Sequence, residues 1–324
     1  MNYRNLGRTG LKVSELCLGT MQFGWTADKA TSNQILTQAF DAGINFIDTA
    51  DVYSFWADGN PGGIAESIIG EWMQHKGIPR HEIIIATKVR GKMGDDPNDE
   101  GLSRAHILRA LDVSLKRLRT DYIDLYQTHW FDENTPIDET LTTLDDLIRH
   151  GKVRYIGCSN YPAWRMMEAL WVSDKNNISR YDSLQPHYSL VYRAEFEREL
   201  ADVCKKFQIG VIPYSPLASG FLTGKYREGQ EHKSERASGV RRYFNKQNWR
   251  LIEKLEATGK DKGGHSISQV SLAWMLTKPT ITSPIIGPRT IGQLEDNLES
   301  VGLQLTPDET HILDKASEWQ TEKR

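Results

Sequence analysis

Short apolar and β-branched runs recur along the chain, each followed by a longer stretch with apolar residues three and four positions apart. The runs are 16–20 (Leu-Cys-Leu-Gly-Thr), 44–47 (Ile-Asn-Phe-Ile), 83–87 (Ile-Ile-Ile-Ala-Thr), 123–126 (Ile-Asp-Leu-Tyr), 153–157 (Val-Arg-Tyr-Ile-Gly), 182–185 (Asp-Ser-Leu-Gln), 210–213 (Gly-Val-Ile-Pro) and 284–286 (Pro-Ile-Ile). Their length and flanking breakers predict strands, the 182–185 run on the weakest propensity. The stretches between them predict helices. Ser32 is placed to cap one with Ile35, Leu36, Ala39 and Phe40 on a single face, ended by Gly43. Ser103 caps another with a stripe of Ile107, Leu108, Leu111, Leu115 and Leu118; Leu141, Leu144, Leu147 and Ile148 form a third, closed by Gly151.

Strand–helix alternation implies parallel strands joined by right-handed crossovers. Eight such units predict an α/β fold, a closed (β/α)8 TIM barrel that leaves no sheet edge exposed. Three pieces lie outside that count. Residues 3–13, with Leu6-Gly7-Arg8-Thr9-Gly10-Leu11, read as an N-terminal β-hairpin able to cover the barrel bottom. Residues 217–246, rich in Gly, Lys, Arg and Ser, read as a long loop after strand seven. Thr306-Pro307-Asp308-Glu309 is a capping box with Pro at the first helical position, so an extra C-terminal helix starts there. No repeat or linker divides the chain, and the expectation is a single barrel domain over residues 1–324.

Composition narrows the partners. The 324 residues carry 40 Lys+Arg against 43 Asp+Glu, a net charge of −3, which exerts no pull toward nucleic acid or an anionic membrane. No apolar run approaches the ~20 residues of a spanning helix, and the first residues lack a signal-peptide core. Cys17, Cys158 and Cys204 are scattered, without metal-site spacing. These features predict a cytoplasmic protein with no nucleic-acid or membrane partner and no metal; they leave the oligomeric state open.

In a parallel barrel the C-terminal strand ends carry the chemistry. Asp48 follows the second run, Lys88 the third and His129 the fourth, and Tyr53 lies in the loop after Asp48. Singly, each is more readily a cap, a solvated loop residue or a packing residue; their joint placement on consecutive strand ends is hard to attribute to packing. Together they suit proton transfer. A Lys ammonium lowers the phenol pKa of a nearby Tyr from its usual ~10, an Asp holds the Lys charged, and a His hydrogen-bonds the substrate oxygen. No Ser or Cys sits beside a base and an orienting carboxylate, as acyl transfer needs. On the later strands, Ser159, Asn160 and Gln185 could hold a carboxamide and Tyr214 offers a flat face to a heteroaromatic ring. Ile286-Gly287-Pro288-Arg289-Thr290 opens a helix containing Gln293 and Asn297, a place for a phosphate with Arg289 as a bidentate partner.

At these residues the chain resembles the aldo-keto reductase superfamily, most closely its bacterial branch near the potassium-channel β subunits. The matching segments are Leu18-Gly19-Thr20-Met21, Ile47-Asp48-Thr49-Ala50-x-x-Tyr53, Thr87-Lys88, Tyr122-Ile123-Asp124-Leu125-Tyr126-x-x-His129, Gly157-x-Ser159-Asn160, Tyr214-Ser215-Pro216-Leu217-Ala218-x-Gly220, Gly224-Lys225 and Ile285-Ile286-Gly287. They run in family order along almost the whole chain. The resemblance implies an enzyme that uses NADPH to reduce aldehydes and ketones, with Tyr53 as acid, Lys88 and Asp48 tuning it and His129 orienting the carbonyl. It further implies that Thr20, Met21 and Asp48 face the cofactor and that Ser159, Asn160 and Gln185 bind its carboxamide. Tyr214 would stack on the nicotinamide and Ser215, Pro216, Leu217 and Lys225 would line the pyrophosphate. Gly287, Arg289, Gln293 and Asn297 would hold the adenosine end, Arg289 facing the 2′-phosphate. Whether Arg236, Arg241 or Arg242 also reaches the cofactor is left open.

Aromatics crowd the same face: Phe23, Trp25, Phe55, Trp56, Trp130 and Phe131. Trp25, Trp56 and Trp130, with Tyr53 and His129, are the expected substrate-binding residues, and loop packing is the competing reading for each aromatic. Two other function classes compete with the reductase: an NADPH-binding redox-sensing subunit with slow turnover, and a barrel hydrolase that needs no cofactor.

Overall fold

The computed structural model describes residues 1–229 and 237–319. Its main sheet has eight parallel strands: β3 (Cys17–Gly19), β4 (Phe46–Asp48), β5 (Ile84–Val89), β6 (Ile123–Thr128), β7 (Val153–Ser159), β8 (Ser183–Gln185), β9 (Gly210–Val211) and β10 (Ile285–Ile286). Each predicted run overlaps one of them, and β4, β5, β6 and β7 extend one or two residues beyond their runs. Strand β10 pairs with β3, and the sheet then runs in chain order to β9. The circle is completed by Thr282 N donating to Val211 O (2.8 Å) and Ile285 N to Pro213 O (2.8 Å). The fold is a (β/α)8 barrel with helices outside.

The antiparallel hairpin β1 (Tyr3–Asn5) and β2 (Lys12–Ser14) lies where the sequence puts it. Its Leu6 and Val13 are fully buried and pack with Cys17, Phe46, Ile84, Ala86, Leu125, Ile212 and Ile285. The hairpin therefore plugs the lower mouth of the barrel with apolar side chains. Gly7 makes this approach possible: it has φ +56°, and a Cβ there would lie 2.5 Å from Gly210 N.

That small cluster also fixes which strand positions face inward. Side chains alternate along a strand, so an inward Phe46 implies an inward Asp48. By the same step Ala86 leads to Lys88, Leu125 to Gln127, Ile212 to Tyr214 and Ile285 to Gly287. Positions of the opposite parity, among them Leu18, Ile47, Ile85 and Tyr126, belong to the larger core beneath the helices. The barrel interior is thus apolar below and polar at the C-terminal rim.

Two sequence expectations change. The first barrel helix, α1 (Lys29–Asp41), is capped by Asp28, which accepts from Thr31 N at 2.8 Å; Ser32 is buried one turn inside and turns its hydroxyl back to Ala27 O. Asp28 starts the helix earlier because its carboxylate satisfies a free N–H of the first turn. The second change concerns residues 217–246. Their described part is not one open loop but contains a 3-10 turn at Ala218–Thr223, a helical turn at Ala237–Val240 and a second 3-10 turn at Arg241–Tyr243. An unpredicted amphipathic helix, Lys246–Asp261, follows and buries Leu251, Ile252 and Leu255. The cap at Ser103 and the capping box at Thr306 lead into helices as expected, Thr306 completing the reciprocal pair with Glu309.

Candidate active site

Lys88 is the centre of the upper barrel. It is fully buried, and its Nζ lies 2.5 Å from Asp48 Oδ1, 2.7 Å from Tyr53 Oη and 2.9 Å from Thr49 O. An unpaired buried ammonium would be prohibitively costly; here three oxygens enclose it. Tyr53 reaches this point because Asp48 ends β4 and the chain turns back over the rim, bringing its hydroxyl 3.4 Å from Asp48 Oδ1. The second Asp48 oxygen accepts from Gln185 Nε2 (2.8 Å) and Gln127 Nε2 (3.1 Å). Gln127 was not singled out in the sequence, although a Gln between the end of the fourth run and His129 was a usable signal.

The phenol of Tyr53 is pushed well above its ordinary value, first by burial and then by the negative charge of Asp48. This reverses the sequence expectation that Lys88 lowers it. Lys88 is shared with Asp48, so burial and the carboxylate outweigh its contact with the phenol. Tyr53 therefore stays protonated throughout the neutral range.

His129 follows β6, and its ring lies 5.9 Å from the Tyr53 ring, edge to face. Burial, and then the positive charges of Lys88 and Arg90, hold its pKa well below the usual value. The imidazole is neutral at pH 7, and its buried Nδ1 has no hydrogen-bond partner among the described residues. The indole of Trp130 stacks on it at 4.0 Å.

The four residues are thus brought together, and Asp48, Tyr53 and His129 open onto a cleft of about 1130 Å³ with Lys88 buried beneath them. All the other predicted cofactor and substrate residues line the same cleft: Thr20, Met21, Ser159, Asn160, Gln185, Tyr214, Ser215, Pro216, Leu217, Lys225, Gly287, Arg289, Gln293, Asn297, Trp25 and Trp56 with Trp130. Several polar groups are engaged with one another. Asn160 donates to His129 O and Ser159 Oγ, both at 3.0 Å, and accepts from Tyr214 Oη at 2.8 Å. Gln185 directs its Nε2 to Asp48 and Gln127. The outer face of Tyr214 is backed by His187 (5.1 Å), which in turn stacks on Tyr192 (3.9 Å).

At the far end, Thr290 caps the helix Ile291–Leu298 and Gln293 Oε1 accepts from Arg289 N at 2.9 Å. The guanidinium of Arg289 makes no ion pair among the described residues. Backbone conformations after β9 are unusual: Ser215, Ala218, Ser219 and Gly220 have φ of 55°, 49°, 55° and 94°. Ala218 N and Gly220 N donate to Ser215 O and Leu217 O, both at 2.9 Å, so this tight turn is closed by its own backbone at the edge of the cleft.

The aromatics divide. Trp25 and Trp56 meet edge to face at 5.6 Å in the cleft, and Phe55 lines it too. Phe23 is fully buried in the core, and Phe131 packs on Tyr161 at 6.0 Å; both are packing residues. Arg241 and Arg242 do not line the cleft; Arg236 lies outside the described residues.

A barrel with this polar rim and cleft matches a known class. The chain belongs to the aldo/keto reductase family, which it matches over residues 15–318. It is 41% identical over 312 residues to an uncharacterized oxidoreductase, YrpG, of Bacillus subtilis, covering 94% of this chain and 92% of the relative. It is 33% identical to versiconal hemiacetal acetate reductase of Aspergillus parasiticus, covering 97% of this chain and 96% of the relative. It is also 35% identical to a probable voltage-gated potassium channel subunit beta of Oryza sativa subsp. japonica, covering 97% and 95%. The protein is an NAD(P)H-dependent enzyme of this family, and no described helix is long and apolar enough to cross a membrane.

Proposed function

We propose that this chain, acting as one barrel domain, reduces aldehydes and ketones to alcohols with NADPH, and that Tyr53 is the proton donor. The observation that carries the reading is the position of Lys88 Nζ, bonded at once to Asp48 Oδ1 (2.5 Å) and Tyr53 Oη (2.7 Å).

The residues present fit the cofactor. Lys225 with Ser215 and Ser219 at the cleft suits a pyrophosphate, the Arg289 guanidinium, without an ion pair among the described residues, suits a 2′-phosphate, and Tyr214 supplies a flat face. NADPH, when bound, supplies a hydride to the carbonyl carbon. The protein's part is the proton. Tyr53 is held protonated by burial, and a substrate oxygen that gains negative charge draws the phenolic proton. Lys88 then stabilises the phenolate left behind. Neutral His129 offers a ring nitrogen to the same oxygen and places the carbonyl without a competing charge. Asp48 keeps Lys88 oriented, and Gln127 and Gln185 keep Asp48 oriented. Trp25, Trp56 and Trp130 form the wall against which a flat carbonyl compound would lie.

The channel-subunit relative favours a second reading, an NADPH-binding redox sensor with slow turnover. Oxidation of NADPH with 4-nitrobenzaldehyde separates the two. The reductase reading expects turnover that falls about 10²–10⁴-fold in Tyr53→Phe, while NADPH still quenches tryptophan fluorescence. Tight NADPH binding without turnover across a broad carbonyl panel would establish the sensor.

A further inference from the structure

Arg90 immediately follows β5, two residues beyond Lys88, and three observations set it apart. Its φ is +124°, a region that strongly favours glycine, and it is one of the non-glycine residues at this rim held there. Such conformations persist only where the surroundings enforce them and cluster at functional sites; here Gly101 N donates to Arg90 O at 3.1 Å and pins the turn. Its Nε is buried with no hydrogen-bond partner, which is a cost in a resting protein. Its guanidinium lines the cleft beside His129 and forms no ion pair with the described residues.

The neighbouring charges do not neutralise it. Asp48 is paired with Lys88. Asp132 feels the charge of Arg90 but forms no ion pair with it, and its oxygens accept from Leu102 N, Asn134 N and Thr135 Oγ1. Lys92 adds a second positive charge to this stretch and is bridged to Asp95 at 3.2 Å. Glu100 also lines the cleft, but it makes no ion pair, and its charge acts on His106 behind the rim. A strained backbone thus presents to the substrate half of the cleft a guanidinium that has no ion pair among the described residues.

We infer that Arg90 is a specificity residue that selects carbonyl substrates bearing an anionic group, a carboxylate above all. A guanidinium fork matches a carboxylate in two parallel bonds. The tryptophans hold the body of the substrate, and Arg90 holds the end away from the reacting carbonyl. This rests on the reductase reading for the reaction but not for the binding.

Two measurements test it. In turnover, 4-carboxybenzaldehyde is compared with its neutral counterpart methyl 4-formylbenzoate. In binding, calorimetry compares 4-(hydroxymethyl)benzoate with its methyl ester on the NADP⁺-loaded enzyme. The acid is expected to be favoured about 10- to 100-fold in both. The preference should fall toward one in Arg90→Gln and survive in part in Arg90→Lys. Arg90→Gly, which removes the φ restriction, serves the same purpose if Arg90→Gln does not fold. Equal affinity for acid and ester, or a preference that survives Arg90→Gln and Arg90→Gly, overturns the inference. If acid binding depends on Arg90 while neither aldehyde is reduced, the reductase reading fails and this inference stands. If the ester is reduced and the acid is not preferred, the reverse holds.

Discussion

Gln185 Nε2 donates to Asp48 Oδ2 at 2.8 Å, joining strand β8 to strand β4 across the barrel mouth. Gln127 reaches the same oxygen at 3.1 Å. The ion pair of Asp48 and Lys88 is therefore held from both sides by neutral amides, which fix one carboxylate oxygen and leave the other to the ammonium and the Tyr53 hydroxyl.

Replacing either amide by an apolar isostere should be costly. Gln127→Leu or Gln185→Leu leaves a buried carboxylate short of a charge-assisted bond, an expected loss of about 1.5–3 kcal/mol in unfolding free energy. The two losses should be non-additive, because both act on one oxygen. Urea denaturation of both single variants and the double variant measures this. Single variants as stable as the parent would show that the amides do not support Asp48.

His187 makes stability depend on pH. Burial first, then the positive charge of Arg242, lowers its pKa to about 4. The unfolded chain, with a value near ~6.5, takes up the proton first as pH falls. The contribution of His187 is thus fully present above ~6.5 and is lost on the way down to about 4. Denaturation at pH 7, 5.5 and 4.5 should show a shallower decline in His187→Phe, which keeps a ring between Tyr192 and Tyr214. His129 shifts in the same direction, so part of the decline remains. An unaltered slope would count against the assignment.

The raised pKa of Tyr53 has a kinetic consequence. An acid that keeps its proton beyond the ordinary phenol range of ~10 should give aldehyde reduction no Tyr53-dependent alkaline limb between pH 7 and 10. The profile of kcat/KM with pH is the check; a fall centred near neutrality would mean that another charge lowers the phenol pKa during turnover.

Arg289 should decide between phosphorylated and unphosphorylated cofactor. Arg289→Ala is expected to weaken NADPH binding about 10-fold or more while leaving NADH nearly unchanged, read as the ratio of the two dissociation constants. An unchanged ratio would move the 2′-phosphate elsewhere.

The tryptophans should shape substrate choice rather than the proton step. Alanine in place of Trp25, Trp56 or Trp130 is expected to raise KM for flat aromatic aldehydes more than it lowers kcat, Trp130 also disturbing His129 through their 4.0 Å stack. Unchanged kcat/KM for every aldehyde in all three variants would rule out the aromatic wall.

Much of this was legible in the sequence because period and punctuation are local. Eight short runs with helical stretches between them specify parallel strands, and a residue just beyond a run necessarily lies at a strand end; Asp48, Lys88 and His129 were found that way. The start of the first helix was misplaced because Asp28 and Ser32 are both good caps, and sequence alone does not say which has a free N–H to satisfy. Phe23 and Phe131 were grouped with the cleft aromatics because strand-end loops were treated as facing inward, whereas packing turned both into the core.

What the sequence determined by itself is the repeating unit and the residues at the end of each strand, set by neighbours within a few positions. What only the tertiary structure decided is how those residues share their bonds. The two Asp48 oxygens divide among Lys88, Gln127 and Gln185, from strands 40, 79 and 137 positions away. Whether Lys88 lowers the Tyr53 pKa depends on burial and on that division, and Arg90 stands out only once its backbone and its missing partner are seen. Charge balance in a buried site depends on distance and solvent exclusion in three dimensions, and neither is encoded in any local stretch of chain.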